Sequence, residues 1–328
     1  MTTFRYPLPE SEPTSPTHGY SDLSDEARTS LTGIAMGPSP ANQLLTPDAN
    51  SAEGLTTEAL SWANAELNNN FGDGALGSWQ RYETVLGVTV PHTVDELSQT
   101  NPNLASTLTR LYEAKQALTA NGAVTPDAFN LGETMRLVVM PWQAIRNHLG
   151  DFDQWLKTLR RQQGIVTNDD NIHRKLLWAI KSNQPFYRDP ENPTQLLTPT
   201  QYLDKKIAQD GAWGVMLAQT SQGAGIERMR SQSPDQMTGN GSKHLELAGH
   251  NIDAMGIFEW IALTLQNDPK KLSLELNSSW LLANRNMIDG YDYDHVPVGY
   301  WHNDGQVESD LYRTTFQGSG VRVRPAVM

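Results

Sequence analysis

The densest group of chemically capable side chains lies in residues 289–305, where carboxylates, histidines and aromatic rings crowd a short stretch. Carboxylates and imidazoles transfer protons and bind metal ions, whereas an ordinary edge strand needs only alternating apolar residues. The carboxylates there lack the glycine and the closing glutamate of an EF-hand loop. The sequence predicts neither a resident metal nor a cofactor, but it makes this stretch, with His295 in it, the first candidate for a functional site.

A second short motif, Gly211-Ala212-Trp213, is predicted to begin a helical stretch. Together with His295-Val-Pro-Val-Gly-Tyr300, it resembles the papain-like cysteine hydrolases and acyltransferases. In that family a Gly-Cys-Trp motif places the nucleophile at a helix start, where the helix dipole favours the thiolate. A later strand carries the histidine. The resemblance is weak and confined to the C-terminal part of the chain.

The resemblance implies a role for each matched residue. Ala212 stands at the nucleophile position and His295 at the general-base position, while Asn303 or Asp304 would orient the imidazole. Asp310 is a third candidate for that orienting group, and Gln209 would be an oxyanion donor, although its spacing departs from the usual one. With alanine at position 212, the chain as written cannot carry out thiol catalysis. Either the alanine is natural or it replaces an original cysteine.

Composition and charge exclude several classes of protein. The net charge is −12, and no local cluster of Lys and Arg offsets it, which argues against nucleic acid as a partner. The chain has no cysteine, which excludes disulfides and thiolate zinc sites. No stretch is long and apolar enough to cross a bilayer, and the N-terminus lacks the apolar run of a Sec signal peptide.

The composition changes along the chain and predicts three parts. Residues 1–56 are rich in Ser, Thr, Pro and Gly and are predicted to be disordered, as a flexible tail or as a leader for secretion by a non-Sec route. Residues 57–195 are predicted to form a helical domain. Residues 196–328 are predicted to form an α+β domain that carries the candidate site. If the chain is not exported, it is expected in the cytoplasm.

Local patterns place the helices and strands. Asn101-Pro102 and Thr198-Pro199 each provide a cap followed by a proline, and both predict a helix start. Thr125-Pro126 predicts a further helix that runs through Met140 to Pro141. Beyond a helix at residues 252–265 the period changes to two, which predicts short strands with turns between them, at residues 272–276, 280–282, 295–301, 307–316 and 321–323. The fold class is therefore α+β, with a helical N-terminal half followed by a helix plus an antiparallel sheet.

Two functional hypotheses follow, and whether the chain is an enzyme stays open between them. In the first, it is a secreted or translocated bacterial effector, a toxin-like virulence protein with a papain-like amide hydrolase or acyltransferase domain inactivated at the nucleophile. In the second, it is a non-enzymatic binding or structural protein whose aromatic C-terminal sheet contacts a protein or carbohydrate partner. Both hypotheses expect a protein or peptide partner, and neither specifies an oligomeric state.

Overall fold

A computed structural model describes the chain in segments: residues 57–69, 74–120, 135–164, 172–189, 191–192, 195–219, 244–247, 250–266, 278–280, 284, 286–287, 294–301, 307–313, 315, 321–323 and 325–328. The predicted leader, residues 1–56, lies outside the described residues. Everything below refers to the described segments.

The described segments contain helices of very different lengths. They are α1 (Thr57–Asn69), α2 (Ala75–Gln80), α3 (Glu83–Leu86), α4 (Val94–Thr100), α5 (Leu104–Ala120), α6 (Trp142–Asn147), α7 (Phe152–Gln162), α8 (Arg174–Lys181), α9 (Pro199–Asp210) and α10 (Ile257–Gln266). The helix predicted after Asn101-Pro102 is confirmed as α5.

The strands form two larger sheets and one short pair. They are β1 (Met135–Met140), β2 (Tyr187–Arg188), β3 (Leu196–Leu197), β4 (Gly214–Gln219), β5 (His244–Leu247), β6 (His250–Ala254), β7 (Ser278–Trp280), β8 (Asn286–Met287), β9 (Asp294–Trp301), β10 (Val307–Arg313), β11 (Val321–Val323) and β12 (Pro325–Val327). The first sheet has the order β1-β4-β12-β6-β5 and is antiparallel throughout. The second has the order β10-β9-β7-β11, with β8 also paired to β9. Mixed helices and mainly antiparallel sheets confirm the α+β class.

Strand β1 corrects one sequence-based expectation. The helix predicted to run from Thr125-Pro126 through Met140 is wrong over Met135–Met140, which is a strand paired with β4 from Met135↔Gln219 to Met140↔Gly214. Five of its six residues are buried, so its apolar residues do not alternate. A short apolar run of this kind cannot be told from a buried helix by periodicity. The β1–β4 pairing also crosses the domain boundary predicted near residue 195.

Helix α9 confirms one expectation and corrects another. Thr198 caps it as predicted, in a capping box with Gln201 and with Pro199 at the first helical position. The helix ends at Asp210, and Gly211 follows as its C-cap with φ 74°. The prediction that Gly211-Ala212-Trp213 begins a helical stretch is therefore wrong, because a positive-φ glycine ends a helix and the next residues enter β4.

Helix α10 joins the two larger sheets. All ten of its residues are buried. Gln266 receives a hydrogen bond from the backbone of Val139 in β1 (2.8 Å) and donates one back to the same residue's carbonyl (2.7 Å). At the other sheet, the ring of Trp260 lies against Gly299 of β9, where a Cβ atom would stand only 2.3 Å from the indole. None of the described helices has the length and apolarity needed to cross a bilayer.

Candidate functional site

Ala212 lies in the turn between α9 and β4 and is half-buried. Its carbonyl accepts a hydrogen bond from the backbone of Gln143 (3.2 Å). The neighbouring carbonyl of Trp213 accepts one from the side chain of Asn101 (2.9 Å). Hydrogen bonds to the carbonyls of Ala212 and Trp213 therefore hold this turn in place.

Two helix ends and a buried carboxylate surround Ala212. It follows the carboxyl end of α9, whose partial negative charge disfavours an anion, and its carbonyl accepts from the N–H of Gln143 in the first turn of the short helix α6. Asp210, the last residue of α9, is buried and accepts a hydrogen bond from the indole of Trp142 (3.3 Å). Burial raises the pKa of Asp210, although Lys206 and Trp142 act to lower it. Gln209 lies on the same last turn, with an exposed side chain.

His295 lies on a strand, as predicted, and is half-buried near the start of β9. Two strands flank it there: it pairs with Asn286 of β8 on one side and with Arg313 of β10 on the other. Ala212 precedes a strand of the first sheet, whereas His295 belongs to the second. Asn303 and Asp304, predicted to orient the imidazole, lie outside the described residues, as do Tyr291 and Tyr293.

The pairing of β9 with β10 places His295 at an open cavity of about 380 Å³, here called the β9–β10 cavity. Its lining residues are His295, Leu311, Tyr312, Arg313 and Thr315. Arg313 stands directly opposite His295, and facing residues in an antiparallel pair have neighbouring side chains. The volume falls within the range of small-molecule and side-chain pockets, roughly 300–1,000 Å³. The cavity therefore brings the guanidinium of Arg313 and the imidazole of His295 together, with Leu311 on the same face of β10 and Tyr312 as a further lining residue.

Tyr312 supplies the cavity with a phenol that stays protonated. Burial raises its pKa, and the nearby carboxylate of Asp310 raises it further. Asp310 itself accepts a hydrogen bond from the backbone N–H of Leu311 (2.7 Å). A phenol held in its neutral form can both donate and accept hydrogen bonds across the physiological range.

Helix α8 is tied to the outer side of β10. Ile172 forms a parallel bridge with Ser309, and the backbone N–H of His173 donates to the carbonyl of Ser309 (3.0 Å). The imidazole Nε2 of His173 lies 3.8 Å from Oδ1 of Asp310. These contacts fix the start of α8 beside the strand that lines the cavity.

A second group of polar side chains surrounds the start of α10 and was not predicted from the sequence. Oε2 of Glu259 accepts from the backbone N–H of Gly256 (3.0 Å), and Oδ1 of Asn284 accepts from that of Ile257 (2.6 Å). The hydroxyl oxygen of Tyr187 accepts from the N–H of Phe258 (2.9 Å). Side chains from distant parts of the chain thus satisfy the free amides that begin the helix.

This group, the α10 cap cluster (Tyr187, Tyr202, Gly256, Glu259 and Asn284), is enclosed in the core. Tyr202 donates its hydroxyl to the other carboxylate oxygen of Glu259, and its ring stacks on that of Tyr187 with centroids 4.0 Å apart. Burial raises the pKa of Glu259, partly offset by Tyr202 and by the charge of Lys206. A glutamate three positions after Gly256 has the spacing of a capping box, which could have revealed the helix start.

The described residues contain no group of three or more His, Asp or Glu side chains placed to hold a metal ion. Asp289, Asp292 and Asp304, three of the carboxylates in residues 289–305, lie outside these residues. Comparisons with known proteins add no relative: no protein-family model, no curated protein and no solved structure matches the chain.

Proposed function

We propose that the chain is a non-enzymatic binding protein that uses its C-terminal sheet to hold a carboxylate-bearing segment of a peptide or protein partner. The observation that carries the proposal is the β9–β10 cavity, in which Arg313 faces His295 beside Tyr312 and Leu311. The guanidinium of arginine matches the planar geometry of a carboxylate and binds it through paired hydrogen bonds. The imidazole of His295 adds a further hydrogen-bonding group at the same opening.

The apolar part of the cavity selects for more than a bare anion. Leu311 lies on the same face of β10 as Arg313 and offers contact to an apolar side chain next to the carboxylate. An aspartate or glutamate beside a leucine or phenylalanine matches this combination of groups. The proposed ligand is accordingly a short peptide segment rather than a free inorganic anion.

Replacing Arg313 with alanine is expected to weaken binding of a test peptide, acetyl-Leu-Phe-Asp-amide, by at least about fivefold, because the partner of its carboxylate is lost. The matched peptide acetyl-Leu-Phe-Asn-amide should bind the unmodified protein weakly and be little affected by the replacement. Both affinities can be measured by NMR titration of the backbone amides of Leu311 and Thr315.

Arg161 provides the control for this experiment, since it is an exposed arginine on α7 that does not line the cavity. Arg161→Ala should leave the affinity for the aspartate peptide unchanged. Equal affinities of the aspartate and asparagine peptides for the unmodified protein would contradict the proposal. So would equal losses in the Arg313 and Arg161 variants, which would indicate general charge attraction.

The papain-like hypothesis keeps one supporting observation, the half-buried His295 on a strand. As an alternative proposal, the chain would be an exported effector with an inactivated amide hydrolase or acyltransferase domain, and the Ser/Thr/Pro-rich residues 1–56 would support non-Sec export. Ala212 does not begin a helix, unlike the nucleophile of that family, and it stands two residues after the buried carboxylate of Asp210, which favours the binding proposal instead.

Ala212→Cys separates the two proposals. Because Ala212 begins no helix and follows the buried Asp210, the introduced thiol should keep a pKa near about 8.5, the ordinary cysteine value. Iodoacetamide labelling followed by mass spectrometry should show an ordinary thiol pH profile, unchanged by His295→Ala. Rapid labelling near neutral pH that disappears with His295→Ala would favour the hydrolase proposal over the binding proposal.

A further inference from the structure

Trp178 is the most exposed large apolar side chain of the described residues, with a relative exposure of 58 %. Four other tryptophans lie in the core and are almost completely buried: Trp79, Trp142, Trp213 and Trp260. A tryptophan left in water gives up a large hydrophobic contribution, and tryptophan is enriched at protein interfaces relative to the rest of the surface.

The charges around Trp178 are all positive within its own helix. Helix α8 has the sequence RKLLWAIK, with Arg174, Lys175 and Lys181 exposed and no acidic residue. Residues three and four apart on a helix are neighbours, so these cations lie one turn before and one turn after the indole. These three cations correct the expectation that no local cluster of Lys and Arg offsets the net charge of −12. Lys181 lies 3.1 Å from the carboxylate of Asp153, and Arg174 and Lys175 also interact with other groups of the chain.

The helix that presents Trp178 is firmly held. Leu176, Ala179 and Ile180 on its opposite side are buried in the core. At its start, Nδ1 of His173 accepts from the backbone N–H of Lys175 (3.3 Å), while the backbone of His173 is hydrogen-bonded to β10. An aromatic side chain on a helix that is held in this way loses little conformational entropy when a partner covers it.

We infer that this surface, the α8 face (Arg174, Lys175, Trp178 and Lys181), docks an acidic peptide segment that carries a large apolar side chain. The cations attract and orient the acidic residues, and the indole covers the apolar side chain, as tryptophan does at the centres of protein interfaces. The inference goes beyond the binding proposal and does not depend on it, because Trp178 is not among the residues that line the β9–β10 cavity.

The test uses a short fluorescein-labelled peptide of Asp and Glu with a central Phe, and fluorescence polarisation with the full chain. Trp178→Ala should raise the dissociation constant by about tenfold or more, the loss typical of a central interface tryptophan. Trp178→Phe should restore most of the affinity. Raising NaCl from about 50 mM to about 500 mM should weaken binding, because salt screens the exposed cations.

Two matched peptides and two control variants complete the design. Replacing the Phe of the peptide with Ser, or its acidic residues with Lys, should abolish Trp178-dependent binding. Leu60→Ala removes the other exposed large apolar side chain of the described residues, of 41 % exposure, and should leave binding unchanged. Arg313→Ala should also leave it unchanged, which distinguishes the α8 face from the β9–β10 cavity.

Several results would overturn the inference. Equal binding by the unmodified protein and Trp178→Ala would exclude the indole as a contact. Trp178-dependent binding of a single-stranded oligo-dT in place of the peptide would point to a nucleic acid. A loss of dimer mass in light scattering caused by Trp178→Ala would assign the surface to a second copy of the chain. Circular dichroism should show that each variant is folded, as expected for changes at exposed positions.

Discussion

Gly211→Ala is expected to lower the free energy of unfolding by about 3 kcal/mol or more, although it adds a single methyl group. Gly211 has φ 74° and ψ −160°, a backbone conformation open essentially to glycine alone. A Cβ atom at this position would also lie 1.8 Å from the backbone oxygen of Thr100. That oxygen belongs to the last residue of α4 and cannot rotate away as a side chain could.

Further contacts hold the end of α4 against Gly211, so the backbone cannot shift there without losing hydrogen bonds. The side chain of Asn101 donates to the carbonyl of Trp213, and the side chain of Asn103 donates to that of Gln209. Moving the end of α4 away from Gly211 would break these bonds. The close approach of the two backbones therefore explains why a glycine stands between Asp210 and Ala212.

Two other glycines separate the contributions to the Gly211 effect. Gly164 has φ 77° but open space around the position of a Cβ atom, so Gly164→Ala should cost only about 1 kcal/mol of backbone strain. Gly150 has open space and no positive φ, so Gly150→Ala should change stability by less than about 0.5 kcal/mol. Urea unfolding followed by circular dichroism gives all three values. Similar losses for Gly211 and Gly164 would contradict the steric argument.

The Gly211 region shows why one sequence motif was misinterpreted. Gly211-Ala212-Trp213 was compared with a catalytic motif, but a glycine directly after a helical pattern is also the usual helix stop. The capped start at Thr198-Pro199 was correctly predicted because all the information lies within a few neighbouring residues. The helix end could have been predicted in the same way from Gly211. Its steric role could not, since Thr100 is distant in sequence.

The prediction of a helix over strand β1 was wrong for a different reason. The residues of β1 are buried by contacts with helices and with β4, and such tertiary contacts override local periodicity. The strands at residues 295–301 and 321–323, in contrast, were predicted within about one residue, because alternation and flanking turns mark them locally.

The candidate site was predictable in part. His295 was identified from residue type and strand pattern, and it does line the β9–β10 cavity. Arg313 and Tyr312 were not assigned to the same site, because their position opposite His295 and Val296 depends on the register of β9 with β10. Register is set by turn geometry and by which face is buried, which the sequence of one strand does not specify. The exposure of Trp178 likewise depends on how α8 packs.

Removing the carboxylate of Glu259 is expected to have the second large effect on stability. Glu259→Ala deprives the N–H of Gly256 and the hydroxyl of Tyr202 of their acceptors in a fully buried setting. Leaving buried donors unsatisfied, together with the cavity created, should cost about 2–4 kcal/mol. Glu259→Gln keeps the shape and one acceptor oxygen, so its cost near neutral pH should be smaller.

The two variants also differ from the unmodified protein in their response to pH. Burial raises the pKa of Glu259 in the folded state above its usual value of 4.5, so the folded protein binds this proton more tightly than the unfolded chain does. Stability contributed by Glu259 is then fully present below pH 4.5 and is lost as the pH rises through the raised folded-state pKa. Glu259→Gln removes this loss.

Other carboxylates add their own pH dependence to the stability. The quantity to follow is therefore the free energy of unfolding of the unmodified protein minus that of Glu259→Gln at each pH. Burial raises the pKa of Asp210 as well, and its contribution has the same sign as that of Glu259. For Asp189, burial acts to raise the pKa, but the N–H of Glu191 and the ammonium of Lys205 outweigh it and lower the pKa. Its contribution is lost as the pH falls. Both are common to the unmodified protein and Glu259→Gln, and therefore cancel.

The stability difference between the unmodified protein and Glu259→Gln should accordingly shrink as the pH rises above about 4.5. Urea unfolding at a series of pH values measures it, with Asp210→Asn as a matched variant that removes a buried carboxylate outside the α10 cap cluster. A difference that stays constant with pH would mean that Glu259 has the same pKa in the folded and unfolded chain. A difference that grows with pH would mean that the hydrogen bonds from Tyr202 and Gly256 outweigh burial. Either result would mean that Glu259 is an ordinary ionised cap of α10 and not a buried acid with a raised pKa.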